Sequence, residues 1–562
     1  MAIVVNSPGF EVTKLQTTIR LSGAVTSRGH RYTGVTQWDA RGWYDAFFSM
    51  THLREPQLTA VLDMGASAIR LVVAEISADG AIRIAEEASR AVLLGRDTFA
   101  GGTIRARTAD AALSALDGFR EVIDAYGATQ IRAVATSAVR EARNADAFLD
   151  RIRNRTGIGF DIINEAEESR LSFLAVRDAA SHADALDGEW TLLAEVGGGS
   201  TSLTLIRRGQ PIRSGVYALG AIRLRQQLQL WKHSHDLQLV LLKRQIANVV
   251  DEIRLEIPLP SVTDVIAMGG DVRFAASQLA EVGESALSRD AFLQFCDEIA
   301  VLDEDRLVER FRLHPGEADT LGPALLVYRT LLGETAAQRL SVSEASLRMG
   351  VLLDIAAGGR LNADDFEAQV LASATAVGQK YRFDAAHGHH VAHLAARLFD
   401  ELAAEHGLGD RERLLLQVAA LLHDIGIYVS LRAHHKHSQY LLAACQIFGL
   451  SDDETALIAN IARYHRRGFP QRSHLPYAAL DRQERLIVNK LAALLRVANA
   501  LDAEHLQKVR NVRVVAGEGT WIIEYDATDE ATMEQMAATA RADMLADTFG
   551  RQVVIRPHGG QP

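Results

Sequence analysis

The sequence predicts a duplicated α/β front end with a cleft between its halves, followed by a helical region and a small α+β end. Two stretches predict the duplication. Leu192-Leu193-Ala194-Glu195-Val196 is an apolar run closing on an acid, and it turns through Gly197-Gly198-Gly199 into Ser200-Thr201. About 130 residues upstream, Val61-Leu62-Asp63-Met64-Gly65-Ala66-Ser67 repeats that grammar more quietly. Glycines at such a turn let backbone N–H groups approach an anion closely, since no Cβ intervenes. A third observation, the histidines crowded between His387 and His505, sets the back half apart.

Each element follows from local pattern. Ala60–Asp63 reads as a strand, Gly65–Ala68 as a turn and Ile69–Ile76 as a second strand; Ala78-Asp79-Gly80 then turns the chain into Ile82–Glu86. The second copy runs Leu192–Val196, the glycine turn, Ser202–Ile206, the turn Arg208-Gly209-Gln210, and Ile212–Val216. Between them, Ala112, Leu116, Phe119 and Ile123 recur at helical spacing and predict a helix over Thr108–Ala125. Ile131–Ala135 reads as a buried strand, Asp146–Arg155 as a helix, and Phe160–Ile163 as a strand running into Asn164-Glu165-Ala166-Glu167-Glu168-Ser169-Arg170. Ligands of open α/β sheets bind beyond the carboxyl ends of strands, which is where both acid-ended turns fall.

Further on, Val301–Ala357 reads as helical connectors, Gly358-Gly359 as a break, and Leu361–Gly378 and Leu415–Asp424 as helices. At the end, Val509–Val515 and Thr520–Tyr525 form a hairpin through Gly517-Glu518-Gly519. A helix over Ala531–Phe549 and a short strand Val553–Ile555 follow.

With 562 residues the chain exceeds what one core can organise. No apolar run reaches the length of a membrane span, so no membrane partner is expected. Cys296 and Cys445 lie too far apart in sequence to suggest a disulfide framework or a cysteine zinc site, and a cytoplasmic location is expected. The net charge of −11 means that a polyanion would have to meet local basic patches. Residues 1–57 show neither a leader pattern nor a clear helical period and read as an N-terminal extension, in which Trp38, Trp43, Phe47 and Phe48 could dock a short helix.

Seven motifs in order then resemble the Ppx/GppA phosphatase family of exopolyphosphatases and guanosine pentaphosphate phosphohydrolases. They are Asp63-Met-Gly, Ala135 to Asn144, Glu167-Glu-Ser-Arg-Leu171, Gly197-Gly-Gly-Ser-Thr201, Leu219-Gly-Ala-Ile-Arg-Leu224, Met268-Gly-Gly270 and Ser343 to Val351. The resemblance implies duplicated actin-like ATPase (ribonuclease H-like) domains with phosphates in the interdomain cleft and Mg²⁺ assisting. It divides the chain into an extension (1–57), actin-like domain I (58–185), actin-like domain II (186–357), an all-α HD-like domain (358–507) and a small α+β C-terminal domain (508–562).

Phosphoanhydride hydrolysis rests on positioning and on neutralising phosphate charge. Glu141 follows a strand and is expected to orient and deprotonate the water, the role the resemblance also implies; Arg140 beside it would fork a phosphate. Alone, Glu141 would read as a solvated acid at a helix start. Asp63, Glu168 and Glu195 are candidate direct or water-mediated Mg²⁺ ligands, of which Mg²⁺ usually takes one or two. Gly65, Ser67, Gly197, Gly198, Gly199, Ser200 and Thr201 would bind phosphate, with Gly269 and Gly270 as a third turn.

The sequence also departs from the family pattern. Ala66-Ser67-Ala68 replaces the usual Ser-Asn-Ser, Glu195 the usual Asp, Asp271 a frequent Thr, and Glu165 a Gly. These changes point to reduced or altered activity.

In the back half, His387, His423-Asp424 and a later acid resemble HD-type phosphohydrolases. The last ligand position falls on Asn499, which brings no charge, with Asp502 about one turn beyond. Buried structural histidines are therefore expected there, not a second catalytic centre. Arg432, His434, His435, Lys436, His437, Arg463, His465, Arg466, Arg467 and Arg472 read as a basic groove. Within it Arg432, His435, Lys436, Arg466 and Arg467 would form a path for polyphosphate. Little aromatic interleaving accompanies these charges, so nucleic acid is not favoured. The expected function is Mg²⁺-dependent hydrolysis of terminal phosphate from inorganic polyphosphate, with pppGpp 5′-phosphohydrolysis and a phosphate-binding sensor as alternatives. A homodimer is expected by resemblance.

Overall fold

The computed structural model describes residues 57–77, 79–179, 186–279, 286–357, 363–466, 468–517 and 519–559. Residues 1–56 of the N-terminal extension, with its Trp and Phe pairs, Ala78, the Gly358-Gly359 break, Arg467 and Glu518 lie outside the described residues.

Two sheets share one strand order. The first runs β3-β2-β1-β4-β5, from β1 (Gln57–Met64), β2 (Ala68–Ile76), β3 (Ile82–Ala91), β4 (Gln130–Ala135) and β5 (Phe160–Ile162). The second runs β10-β11-β9-β6-β7-β8, from β6 (Thr191–Val196), β7 (Thr201–Arg207), β8 (Gln210–Tyr217), β9 (Asp264–Met268), β10 (Ala286–Ser288) and β11 (Arg339–Ser343). In each, an antiparallel three-strand meander pairs in parallel with a later strand. The sheets therefore repeat each other, as the two acid-ended hairpins predict. β11 corrects the expectation of helical connectors alone between 301 and 357. Arg339-Leu-Ser-Val-Ser alternates polar and apolar residues, and it pairs with β9 in the sheet.

The period of two along the central strands decides which way the acids face. Ala60, Leu62 and Met64 pack under the helix Ala106–Tyr126, while Val61 packs with Leu347, Val351 and Leu352 of the helix Leu347–Ala356. Asp63 is on the Val61 side. Likewise Leu192, Ala194 and Val196 share one core, whereas Leu193 meets Phe173 and Val176 of the helix Glu165–Asp178. Glu195 is on that side. Both acids thus point into the layer between the halves, which is filled by two helices crossing closely. The crossing needs Gly350, where a Cβ would collide with the Leu171 carbonyl.

Behind the two sheets, helices including Ala363–Lys380, Ala385–Glu401, Asp410–Leu422, Asp452–Arg463 and Arg482–Ala500 pack around Val391, Leu394, Leu416, Ile458 and Leu494. The same core continues into a sheet of order β12-β13-β14, from β12 (Val509–Ala516), β13 (Thr520–Ala527) and β14 (Gln552–Pro557), through Trp521 and Ile523. The final helical stretch breaks into Thr532–Arg541 and Asp543–Phe549. Cys296 and Cys445 are both free thiols.

Candidate active site

A cavity of about 760 Å³ opens between the two sheets, lined by both glycine turns and by the loops after β9 and β11. Each turn closes on itself in the same way. The Gly65 N–H donates to the Ala68 carbonyl at 3.1 Å, and the Gly197 N–H to the Ser200 carbonyl at 2.9 Å. A Cβ at Gly198 would run into the Ser67 hydroxyl, and one at Gly199 into Ser137. The glycine run is thus dictated by the opposite half, whose small residues press against it. Gly269 has φ of 121°, with the Val196 carbonyl 3.3 Å from where a Cβ would stand. Tyr328, buried beneath, accepts from the Val196 N–H at 2.8 Å and donates to the Met268 carbonyl, tying the ends of β6 and β9 together.

Asp63, Gly65, Ser67, Glu168, Glu195, Gly197, Gly198, Gly199, Ser200, Gly269 and Gly270 all line this cavity. Thr201 does not. It is fully buried, and its hydroxyl donates to the Leu219 carbonyl at 2.6 Å, which removes it from the expected phosphate donors.

Arg140 and Glu141 also lie outside the lining residues. Arg140 donates to the Ile163 carbonyl at 2.7 Å and to Glu168 at 3.3 Å, so its guanidinium is engaged in fixing an acid of the cleft and not in forking a phosphate. Glu141 follows the short helix Ser137–Arg140, and both its carboxylate oxygens are held by Arg223 from the second half, one at 2.9 Å. Arg223 is buried, stacks 4.0 Å above the Phe99 ring and donates to the Gly199 carbonyl.

Two arginines face Asp63: Arg70 Nη1 and Arg348 Nη1 lie 3.5 and 3.6 Å from the same carboxylate oxygen. Arg273 also lines the cavity, 3.6 Å from the exposed Glu344. Burial depresses Arg348, and Asp63 opposes that shift. Glu195 accepts from Ser172 at 2.8 Å and is raised by burial. Glu168 sits in the first turn of the helix Glu165–Asp178, where the Asn164 side chain caps the Glu167 N–H at 2.9 Å. Burial pushes Glu168 up to about 7 against the pull of Arg140, and pushes Asp271 up to about 6 although Thr320 donates to it.

Charge balance at the cleft is the opposite of what a bare anion would seek. Its lining carries Arg70, Arg90, Arg273 and Arg348 against Asp63, Glu168, Glu195, Asp271 and Glu317. A polyphosphate entering it therefore needs added cations, and the raised Glu168 and Glu195 fit that need. These two are mutually repelling, buried acids that a divalent ion would keep ionised. The three expected Mg²⁺ ligands do not converge as tightly as a fully protein-held ion requires. Among the described residues, the groups whose ligand atoms lie within 4.8 Å of one another are histidine-containing and lie in the back half.

Sequence reasoning missed Arg223, Arg70 and Arg273 as site residues. Arg223 was within a matched motif, and an arginine two residues after a glycine–alanine pair was the available signal. Arg70 carried a signal too, since β1 and β2 place it directly opposite Asp63.

In the back half, Arg432, Lys436 and Arg466 are exposed. His435 is half-buried and pushed down to about 4 by burial and by Arg463, so it is neutral near pH 7 and adds no charge to a polyanion path. His434 and His465 are buried around Asp424 and do not belong to a surface groove. The expectation for Asn499 is also corrected. The helix Arg482–Ala500 ends before the next turn, and the fully buried Asp502 is the acid that meets His387, at 2.8 Å. No helix among the described residues is long and apolar enough to cross a membrane.

Comparison with known proteins gives the family. Residues 72–358 match the model of the Ppx/GppA phosphatase family, and residues 371–535 match that of Ppx/GppA phosphatase, domain III. A guanosine-5'-triphosphate,3'-diphosphate pyrophosphatase of Vibrio parahaemolyticus is 23% identical over 463 residues, 79% of this chain and 88% of that one. A protein of the same name from Vibrio cholerae is 25% identical over 455 residues, 78% and 86% of the two chains. Among solved structures, an exopolyphosphatase from Cytophaga hutchinsonii has 22% identity and a TM-score of 0.49, covering 54% of this chain and 98% of that one. The Aquifex aeolicus member of the Ppx/GppA family has 21% identity and a TM-score of 0.44, covering 54% and 99%.

Proposed function

Because the chain belongs to the Ppx/GppA phosphatase family and is a phosphoanhydride hydrolase, we propose that it removes the terminal phosphate of inorganic polyphosphate with water as acceptor. The observation that carries this reading is the lining of the cleft. Two glycine turns and four arginines face a cavity in which Phe274 and His314 are the only ring-bearing lining residues among those described. Such a wall grips phosphates and offers little stacking surface for a base.

In this reading Ser67, Ser200 and the glycine backbones cradle the terminal phosphate, while Arg70, Arg273 and Arg348 bear on its oxygens. Glu141, its carboxylate oriented by Arg223, orients and deprotonates the attacking water. Arg140 is a positioning residue, fixing Glu168. Mg²⁺, when bound, would neutralise charge on the phosphate oxygens, with Asp63, Glu168 and Glu195 as its protein holders, in part through water. The actin-like naming of the repeated sheets, an HD-like helical region, the five segment boundaries, a homodimer and a cytoplasmic setting belong to the same proposal. They are supported by family membership.

A second reading is pppGpp as substrate. Its support is the naming of the Vibrio relatives, which align over 79% and 78% of this chain and so extend into the helical region. The deciding experiment measures phosphate release with Mg²⁺ from medium-length polyphosphate and from pppGpp, in wild type and Glu141→Ala. Faster release from polyphosphate, abolished in the variant, is expected. Faster release from pppGpp moves the assignment to the second substrate, and retained polyphosphate binding without release from either overturns both in favour of a sensor.

A further inference from the structure

The turn Gly269-Gly270 delivers to the cleft an acid that neither faces the attacking water nor belongs to the candidate Mg²⁺ holders. β9 ends at Met268, which pairs with Glu195 in the sheet, and Gly269 turns the chain with φ of 121°. Gly270 then opens the helix Gly270–Leu279, and Asp271 stands in its first turn. Asp271 lines the cavity together with Glu195, Arg70 and Arg273.

Positive charge converges at this point. Arg70 and Arg273 both act on the Asp271 carboxylate, and both act on Glu195 as well. The start of the helix adds its own partial positive charge. Two arginines beside a helix start would ordinarily attract a phosphate. Here a carboxylate of the chain itself sits among them.

That carboxylate is poorly neutralised. Thr320 donates to Asp271 at 3.2 Å, and the same hydroxyl lies 3.1 Å from the Glu317 carbonyl. Among the described residues Asp271 forms no ion pair, whereas Asp63 is bracketed by Arg70 and Arg348, and Glu168 is met by Arg140. Burial pushes Asp271 up to about 6, against the Thr320 bond and the two arginines, so the group is mostly ionised at pH 7. Glu317, which also lines the cavity, adds a second negative charge nearby.

A phosphate chain entering the cleft therefore meets a fixed negative charge beside the arginines that would grip it. A bare polyanion is repelled there. A chain that brings its own divalent ions is not, because an ion can stand between carboxylate and phosphate oxygens.

Resting on the phosphate-chain reading of the cleft, we propose that Asp271 is a specificity-determining residue, which admits phosphate chains as their divalent-cation complexes and disfavours the free polyanion. It does so by competing with the substrate for Arg70 and Arg273, and it takes no part in breaking the anhydride bond. A neutral side chain at this point frees both arginines for substrate oxygens.

The test compares full-length wild type with Asp271→Asn, which keeps the side-chain shape and an acceptor for Thr320. Binding of tripolyphosphate is measured by calorimetry in chelator, without Mg²⁺ and without turnover. The variant should bind about tenfold more tightly, as the loss of one close like charge requires. With saturating Mg²⁺ the two affinities should draw together. In phosphate release from medium-length polyphosphate, the variant should have a lower KM at sub-saturating Mg²⁺, with kcat within about twofold. Asp271→Thr, smaller and also neutral, should behave alike, and melting curves show that each variant is folded. Equal or weaker binding in chelator by both folded variants overturns the proposal. A fall in kcat with KM unchanged overturns it too, since Asp271 would then take part in the chemistry. Wild type that binds tripolyphosphate yet releases phosphate from neither polyphosphate nor pppGpp overturns the proposed substrates alone, and the binding comparison still decides the role of Asp271. No binding by any of the three proteins, with or without Mg²⁺, overturns both.

Discussion

Arg223 Nη1 donates to Glu141 Oε2 at 2.9 Å, joining a residue of the second half to one of the first across the cleft. Glu141 is 42% exposed in its side chain, so the pair contributes little to stability, and its consequence is for catalysis. Glu141→Gln should lower kcat by about 10²–10⁴-fold, the usual range for losing a general base. Arg223→Lys keeps the charge and loses the fork, and should lower kcat; it also gives up the Phe99 stacking and the bond to the Gly199 carbonyl, so Tm should fall with it. The double variant should be no slower than Glu141→Gln alone, since both changes act through one carboxylate. Steady-state phosphate release measures all three.

Glu168 should set a pH limb. Burial raises it from an ordinary 4.5 to about 7, so the folded chain holds a proton that the unfolded chain releases across that window. Its contribution to stability is complete below about pH 4.5 and is lost as pH rises through about 7. Activity should run the other way, rising through pH 7 as the carboxylate becomes able to hold a cation. Glu168→Gln is expected to flatten the Tm-versus-pH curve in that window and to weaken Mg²⁺ activation. Melting curves and Mg²⁺ titrations at fixed pH check the two outcomes separately.

The glycine turns should respond unequally to a single methyl group. At Gly220 a Cβ would meet the backbone of Gly199 and Ser200, which cannot rotate aside. Gly220→Ala is expected to cost about 1–3 kcal/mol in a urea titration. At Gly198 the nearest obstacle is the Ser67 hydroxyl, which can turn away, with Ile222 and Ala66 at 3.2 and 3.3 Å. Gly198→Ala should shift the midpoint less than Gly220→Ala and lose kcat, because the two turns can no longer close on one phosphate.

Trp521 tests whether the C-terminal sheet and the helical region unfold together. It is 1% exposed, its ring lies 5.1 Å from that of Phe549, and it shares a core with Leu416 and Leu494. Trp521→Ala should cost about 3–5 kcal/mol. Circular dichroism should show the loss as an earlier melting of helix, not as detachment of the sheet alone.

What the sequence made legible was whatever local pattern dictates. The strands ending at Asp63 and Glu195 were readable because buried central strands are apolar almost throughout, and a polar residue at the end of such a run stands out. Arg339–Ser343 was not, because only Leu340 and Val342 are apolar in its five residues and it lies between helices. Arg223 and Glu141 are 82 residues apart, and no local rule joins them. The motif position falls on Asn499, while Asp502, about one turn on, meets His387 because the chain leaves the helix after Ala500 and turns that carboxylate inward.

The helix Glu165–Asp178 belongs to two neighbourhoods at once. Its first turn puts Glu168 into the cleft. Two residues on, Arg170 lies over the Phe366 ring at 5.5 Å, and further along Phe173 meets Phe448 edge to face at 5.8 Å. Phe366 and Phe448 are residues of the helical region. A helix of about four turns therefore connects that region to an acid of the cleft with no loop between. A change in how Phe366 or Phe448 packs would thus reach Glu168 through a single element. The cleft acid and the helical region share one rigid support.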